Sequence, residues 1–315
     1  MANEPMDEPI QAEGASELEV RPARPGDRDA VLAFCAHTWS DGDYIEYVWD
    51  DWLADDRGVL LVGLLDGQPV AINHLQMVSD DEAWLEGMRV DPRYRREGFG
   101  RILTSRTLVA ARERGASVAR LITSSDNLAS QGMITRFGFV RVAEMVRYRG
   151  PAFTTDDTTP TAALARPGVD DFERLWEWLE QSNLAPLTGG LEYGDWQARA
   201  LTEPLLRGYL ASGQVRLIEE WDTIQALAIV TPPAEDTSDS GDSGGSGEMP
   251  TLDVRYLDGQ ADAIGRLALA LRAEAAAHYG RVELWLPDLL ILHDAMDGAG
   301  YERDDETMLV FARAL

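Results

Sequence analysis

The spacing of apolar residues divides the chain into short strands and helices in a mixed order. Apolar runs at residues 59–65 and 70–78 flank Asp66-Gly67, which is typical of a hairpin with a tight turn. A third run at 84–90 follows a short acidic turn at Asp80-Asp81. Strands that alternate with stretches of helical periodicity predict an α/β (α+β) fold.

The other elements of the first half follow from periodicity and from punctuating residues. Strands are predicted at 18–21, 118–123 and 139–149, and helices at 30–39, 101–114 and 127–136. Asp27 is a candidate cap for the first of these helices, and Gly138 ends the last. Residues 41–53 are aromatic and acidic.

The second half repeats this order. Arg166-Pro167-Gly168 echoes Arg24-Pro25-Gly26, and Gly300-Tyr301 echoes Gly138-Phe139. The repeat also includes a hairpin at 214–230, a strand at 252–257, a helix at 261–277 and a strand at 282–286. We therefore predict two tandem copies of one fold, of which the second has diverged.

The domain boundaries follow from this repeat and from local composition. We predict a disordered acidic tail at 1–16, a first domain at 17–152, a polar linker at 153–161 and a second domain at 162–315. Residues 232–250, rich in Ser, Gly and acids, form a low-complexity insert in the second copy.

The balance of acidic and basic residues limits the environments and the binding partners that suit this chain. The chain has 315 residues, 55 acidic and 28 basic, and a formal net charge of -27; every basic residue is arginine. Acid spread over both halves resembles the composition of extreme halophiles, in which salt screens the self-repulsion. Binding of cationic partners is the alternative interpretation. A basic footprint for nucleic acid is missing.

Few other features of the composition point to a special environment. Cys35 is the one cysteine, so we expect neither a disulfide nor a cysteine metal cluster, and no metal ion is predicted to take part. The N-terminal residues do not resemble a signal peptide, and no apolar run is long enough to span a membrane. We expect a cytoplasmic protein, either a monomer or a homodimer.

The chemically most informative segment is Arg95-Arg96-Glu97-Gly98-Phe99-Gly100, between a strand and a helix. Glycine allows close approach of a ligand to the backbone, and the first N–H groups of a helix attract anions. Arg101 adds a third cation to Arg95 and Arg96. The segment predicts a pyrophosphate site. The second copy has Asp258-Gly259-Gln260 instead, so we expect only one such site in the chain.

This arrangement of strand, Arg-x-x-Gly-x-Gly and helix resembles the GNAT superfamily of acyl-CoA-dependent N-acetyltransferases. The next strand, Asn127 and the helix before Gly138-Phe139 extend the likeness over residues 18–149. A narrower pattern is similar to histidine N-acetyltransferase-type members: Asp43-Tyr44 with a following Trp-Leu, Asp80-Asp81, and Glu86-Gly87-Met88-Arg89-Val90. Tandem copies with one degenerate half resemble mycothiol synthase-like enzymes.

The resemblance implies two tandem GNAT-type domains, each a splayed, mostly antiparallel mixed sheet flanked by helices. It implies acetyl-CoA as the cosubstrate, in the gap between strands 84–90 and 118–123. Its pantetheine would pair with Met88, Arg89 and Val90, and its pyrophosphate would lie on N–H groups from Arg96 to Arg101. Asn127 is a further cofactor-binding candidate, with a helix cap as the alternative.

Attack of an amine on a thioester needs a base, a donor to the oxyanion and an acid for the leaving thiolate. Glu86 is the first candidate base and His74 the second, and the backbone N–H near Met88 is the candidate oxyanion donor. The alternative for Glu86 is a strand carboxylate paired with an arginine, and the alternative for His74 is a core histidine with its hydrogen bonds satisfied.

Many GNAT members carry a tyrosine as the acid where this chain has Ile134, which has no proton to donate. The hydroxyl groups nearest in sequence belong to Ser124, Ser125 and Tyr148.

The acceptor site is expected to form from residues 41–52 and the hairpin strands. Tyr44 and Tyr47 are predicted to wall a small amine pocket, together with Trp49 and Trp52 unless these pack in the core. Arg89 would pair with a substrate carboxylate if the acceptor is an amino acid, or with a nearby acid.

The function predicted from these residues is N-acetylation of a small primary amine, with amino acids among the acceptors. The alternatives are a catalytically silent acyl-CoA sensor, motivated by Ile134, and acetylation of protein N-termini. A dinucleotide-binding site is a weaker alternative, because the Gly-x-Gly-x-x-Gly pattern is not met.

Overall fold

The structure is a computed structural model that describes residues 18–36, 38, 42–154, 161–194, 196–231 and 249–315. The predicted tail at 1–16 lies outside the described residues. So do 155–160 of the predicted linker and 232–248 of the predicted insert.

The chain forms two compact units, each assembled from two segments. One comprises Met1–Leu75 and Gly87–Ala110, and the other comprises Gln76–Glu86 and Ala111–Leu315. These units do not coincide with the two copies at 17–152 and 162–315, which are defined on the sequence alone. The duplication stays a prediction.

Among the described residues, the first unit contains two whole strands and two whole α-helices, together with parts of three elements that both units share. Its elements are β1 (Glu19–Pro22), α1 (Arg28–Cys35), α2 (Ile45–Ala54), β2 (Gly58–Leu65), most of β3 (Gln68–Met77), the end of β4 (Glu82–Val90) and most of α3 (Phe99–Glu113). The predicted hairpin is confirmed: Asp66 and Gly67 both have positive φ, 50° and 78°, as a two-residue turn between twisted strands requires. The sequence did not separate α2 from its loop.

The aromatic residues of α2 form the core of this unit. Ile45, Trp49 and Trp52 lie on one face of the helix and pack on Val31 and Cys35 of α1 and on β2. Trp49 is fully buried, which confirms the core-packing alternative for this residue. Burial raises the pKa of the Cys35 thiol to about 12, so this thiol is a core group rather than a nucleophile.

The second unit begins with the last two residues of β3 and the start of β4, and it contains most of the strands. Its elements are β5 (Val118–Ser124), α4 (Leu128–Arg136), β6 (Val140–Pro151), α5 (Phe172–Glu180), α6 (Ala185–Thr188), β7 (Leu191–Gly194), β8 (Gln197–Ala200), α7 (Glu203–Ala211), β9 (Val215–Glu220), β10 (Thr223–Thr231), β11 (Thr251–Gly259), α8 (Ala261–Ala275), β12 (Arg281–Pro287), α9 (Leu290–Gly298) and β13 (Glu302–Ala314). The strands and helices predicted for this region agree with these elements within a few residues. The hairpin of β7 and β8 was not predicted.

The strands of the second unit follow the order β4-β5-β13-β6-β12-β11-β10-β9. β4 pairs with β5 in parallel and β11 pairs with β12 in parallel, while β13 runs antiparallel to both β5 and β6. The last strand of the chain therefore separates β5 from β6, and β6 in turn separates β13 from β12. The last strand, β13, thus pairs on both sides with strands from the first half of the sequence.

The turns before the first helix of each half also match. The Asp27 carboxylate accepts the Arg24 N–H at 2.8 Å, and the Asp171 carboxylate accepts the Gly168 N–H at 2.9 Å. Asp27 thus closes the turn rather than capping α1 with its side chain. A hydrogen bond from Arg21 lowers the pKa of the Asp27 carboxyl.

Candidate functional site

The glycine-rich segment forms a tight loop that leads directly into α3. Arg96 and Gly98 both have left-handed backbone, with φ of 70° and 87°. A left-handed arginine is strained, and such strain concentrates at ligand-binding loops. Phe99, the first residue of α3, is buried against Leu18 and Val70 and anchors the loop to the core.

Five consecutive backbone donors lie in this loop. Within the part of the chain that the structure describes, the N–H groups of Arg96 to Gly100 donate to no protein acceptor, whereas the Arg101 and Ile102 N–H groups donate to the Gly98 carbonyl at 3.0 and 3.1 Å. The expected donor range, Arg96 to Arg101, is therefore shortened by one residue, because the first turn of α3 uses the Arg101 N–H itself.

Charge in and around the loop also suits an anion. Arg95, Arg96 and Arg101 are exposed, and the loop begins at the positive end of a 15-residue helix. Asp91 lies just before the loop, but the Arg93 guanidinium binds its carboxylate at 2.6 Å and lowers its pKa. Free N–H groups, glycine backbone and surrounding cations fit the pyrophosphate of acetyl-CoA, which Arg96 to Gly100 would hold.

β4 kinks at Gly87, immediately before Met88. Gly87 has a φ of 66°, and a Cβ atom there would lie 2.4 Å from Cη2 of Trp52. The indole of Trp52 thus lies on the bare backbone of β4. A glycine within a strand often marks a bulge or a place where another group lies close to the backbone. Gly87 within the apolar run 84–90 is such a signal in the sequence.

Replacing Gly87 with alanine is expected to destabilise the fold by about 3 kcal/mol, because the methyl group overlaps Trp52 and the left-handed backbone disfavours a side chain. Urea unfolding measures the loss. Combining Gly87→Ala with Trp52→Leu should relieve only the overlap. A Gly87→Ala variant as stable as the wild type would contradict the close approach.

The two candidate bases lie in different surroundings. Glu86 is half-buried on β4, one residue before the kink. His74 is fully buried on β3, and its ring stacks on the Trp52 indole at a centroid distance of 4.2 Å. A buried, stacked imidazole favours the core alternative for His74, and Glu86 remains the first candidate.

Arg89 is held by Asp43 at the start of the acceptor segment. Its Nε donates to one carboxylate oxygen at 2.7 Å, and Nη2 donates to the other at 3.1 Å. Tyr44 lies 5.2 Å below the guanidinium and meets Trp52 edge-on. Tyr47 is on the exposed side of α2, away from Trp52. The structure therefore brings Tyr44, Trp52 and Arg89 together with Asp43, whose pairing with Arg89 was not predicted.

The residues after β5 lie in the second unit. The Asn127 side-chain oxygen accepts the Ser130 N–H at 3.1 Å, so Asn127 caps α4, as the alternative interpretation has it. Ile134 is buried in α4. Among the hydroxyl groups considered as acids, Ser124 donates to Asp126, and burial raises the pKa of Tyr148 to about 12. None of these side chains is poised as an acid.

The segment Asp258-Gly259-Gln260, which stands in the second half where the first has its glycine-rich loop, forms no such loop. β11 continues to Gly259 and α8 begins at Ala261, which leaves no loop between them. Asp258 is buried and accepts hydrogen bonds from Ser182, Tyr256 and the Gly259 N–H. Burial raises the pKa of its carboxyl.

Comparison with known proteins agrees with this geometry. Residues 28–139 match the sequence model of the acetyltransferase (GNAT) family, and this segment contains the loop, the kink in β4 and the acceptor segment. No curated protein matches the chain. No helix among the described residues is long and apolar enough to cross a membrane, and these residues contain no group of three or more His, Cys, Asp or Glu side chains placed to hold a metal ion.

Several solved structures share the fold over nearly the whole chain. A GCN5-related N-acetyltransferase from Sphaerobacter thermophilus is 13% identical, with a TM-score of 0.59 and coverage of 94% of this chain and 95% of that one. A candidate acetyltransferase from Thermoplasma acidophilum is 17% identical, with a TM-score of 0.55 and coverage of 94% and 100%. The chain therefore has a GNAT-type fold, a mixed sheet flanked by helices, and its residues 28–139 are similar to the acetyltransferase (GNAT) family.

Proposed function

We propose that the protein is an acetyl-CoA-dependent N-acetyltransferase that acts on a small primary amine, with amino acids among the acceptors to be tested. The observation that supports this most is the row of N–H groups from Arg96 to Gly100, which lies at the start of α3 within the segment that matches the GNAT family. The family normally uses acetyl-CoA as its cosubstrate.

In this proposal the cosubstrate supplies an activated acetyl thioester, and the chain supplies position and proton transfer. The loop holds the pyrophosphate, and Met88, Arg89 and Val90 of β4 hold the pantetheine through their backbone. The positive φ of Gly87 interrupts the regular strand geometry just before Met88, and the backbone N–H near Met88 is the proposed donor to the oxyanion. Glu86 removes a proton from the amine, directly or through water.

Release of CoA thiol from acetyl-CoA over a panel of amines, measured in molar salt, tests the proposal. We expect thiol release that depends on one class of amine. Tight binding of acetyl-CoA with no thiol release for any amine would favour the silent sensor instead, the alternative that Ile134 motivates. Peptides with free N-termini belong in the panel, because acetylation of protein N-termini is the other candidate activity.

Replacing Glu86 with glutamine is expected to lower kcat about 100-fold, a typical loss for a missing general base. The affinity for acetyl-CoA should stay near that of the wild type, because the loop is untouched. Stopped-flow or steady-state assays across pH measure the effect, with Glu113→Gln, an exposed carboxylate at the end of α3, as the control. An unchanged pH profile of kcat would exclude Glu86 as the base.

A further inference from the structure

We infer that the acceptor is an amine without a carboxylate on the adjacent carbon, and that Asp43 is the residue that discriminates against amino acids. This inference rests on the proposed function and names the substrate class of the same site. It follows from the way in which Asp43 occupies Arg89.

Arg89 is the one basic residue in the two described segments, 42–54 and 87–90, that carry most residues proposed for the acceptor site. Residues 42–54 contain four acids and no base, and the end of β4 from Gly87 to Val90 contains only Arg89. Arginine binds carboxylates best through two parallel N–H groups. Recognition of an amino acid at this place would therefore require the fork of Arg89.

The parallel N–H donors of the Arg89 guanidinium are already bound to a carboxylate of the chain. Asp43 takes Nε and Nη2, and Nη1 donates to the Met88 carbonyl at 3.1 Å. The Asp43 and Arg89 side chains are only 3% and 15% exposed. The Ile45 N–H donates to Asp43 at 3.2 Å and so fixes its carboxylate at the start of α2. The Tyr44 ring covers a face of the guanidinium.

A substrate carboxylate at this place would meet Asp43 as a like charge. It would have to displace a buried and hydrogen-bonded carboxylate or lie beside it without a cation of its own, and both are unfavourable. An amine without that carboxylate avoids the conflict. It reaches the site as an ammonium ion at neutral pH.

Matched pairs of acceptors that differ by one carboxylate test this on the wild-type protein. The pairs are histamine and histidine, and tyramine and tyrosine, in which the amino acid has a single primary amine beside its carboxylate. We expect kcat/KM at least 10-fold higher for the amine of each pair. Equal or higher kcat/KM for the amino acids would overturn the inference while leaving the N-acetyltransferase proposal intact. The resemblance to histidine N-acetyltransferases predicts that opposite order for the first pair.

Asp43→Asn tests the role of the residue itself. When residue 43 carries no charge, Arg89 can bind a substrate carboxylate. The preference for the amine should therefore fall at least 10-fold, while the affinity for acetyl-CoA, measured by calorimetry, is unchanged. Asp51→Asn changes the charge of the same helix by the same amount without touching Arg89 and should keep the wild-type ratio. An equal change of ratio in both variants would assign the effect to net charge and contradict the role of Asp43.

If Asp43→Asn does not fold, the matched pairs on the wild type still decide the substrate class. An absence of thiol release with every amine, despite binding of acetyl-CoA, would instead contradict the proposed function on which the inference rests.

Discussion

Replacing Gly100 with aspartate is expected to weaken acetyl-CoA binding about 1000-fold while the protein stays folded. Gly100 lies in the first turn of α3, among the N–H groups proposed to hold the pyrophosphate. A carboxylate about 4 Å from a phosphate charge costs about 4 kcal/mol at an effective dielectric constant of 20. The same aspartate interacts favourably with the helix dipole, so unfolding is not expected.

Isothermal titration calorimetry in molar salt measures the affinity, and Gly100→Asn is the matched control because it has the same shape without the charge. Gly98→Asp should also abolish binding, but it adds strain, because Gly98 has a φ of 87°. Gly98→Ala separates these two effects. Wild-type affinity in Gly100→Asp would remove the pyrophosphate from this loop.

Deleting the last strand, residues 301–315, is expected to prevent folding of the second unit. β13 lies between β5 and β6 and buries Met308, Leu309, Val310 and Phe311. Each of these side chains contributes about 2 kcal/mol by burial, which together approaches the whole stability of a typical domain. For the same reason residues 1–152 alone should not form a stable domain, although the sequence marks them as a complete copy.

Circular dichroism and a urea titration measure this loss, and co-expression of residues 1–152 with 153–315 should restore a folded complex. The matched control replaces residues 233–247 with a short Gly-Ser linker. β10 and β11 are antiparallel neighbours with Thr231 opposite Asp253, so a short turn can join them. If residues 1–152 alone gave a folded product that unfolds cooperatively, β13 would be dispensable for folding.

The local elements and the position of the glycine loop before α3 could be predicted because their signals are local. Asp66-Gly67 between two apolar runs specifies a turn with positive φ, and Gly98 beside a helix start specifies an exposed row of N–H groups. Both depend on backbone conformation within a few residues. The helix α2 was expected within residues 41–53 only as part of an aromatic, acidic segment, so the helix was merged with its loop.

Contacts between distant residues could not be predicted in this way. Asp43 and Arg89 are far apart in the sequence, and several acids were equally plausible partners for Arg89. The stacking of His74 on Trp52 depends on how α2 packs on β3, and no spacing within one element encodes that. The burial of Asp258 likewise involves a distant residue, Ser182, whose hydroxyl donates to its carboxylate.

The sequence by itself determined the order of the strands and helices that it predicts, the place of the glycine loop and the absence of a second such motif. Each of these features depends on residues that are close together in the sequence. Only the tertiary structure decided that β13 separates β5 from β6 and that Asp43 occupies the fork of Arg89. Strand pairing and buried ion pairs are selected by the free energy of the whole packed chain, in which many sequence-distant partners compete and one arrangement buries the most surface with its polar groups satisfied.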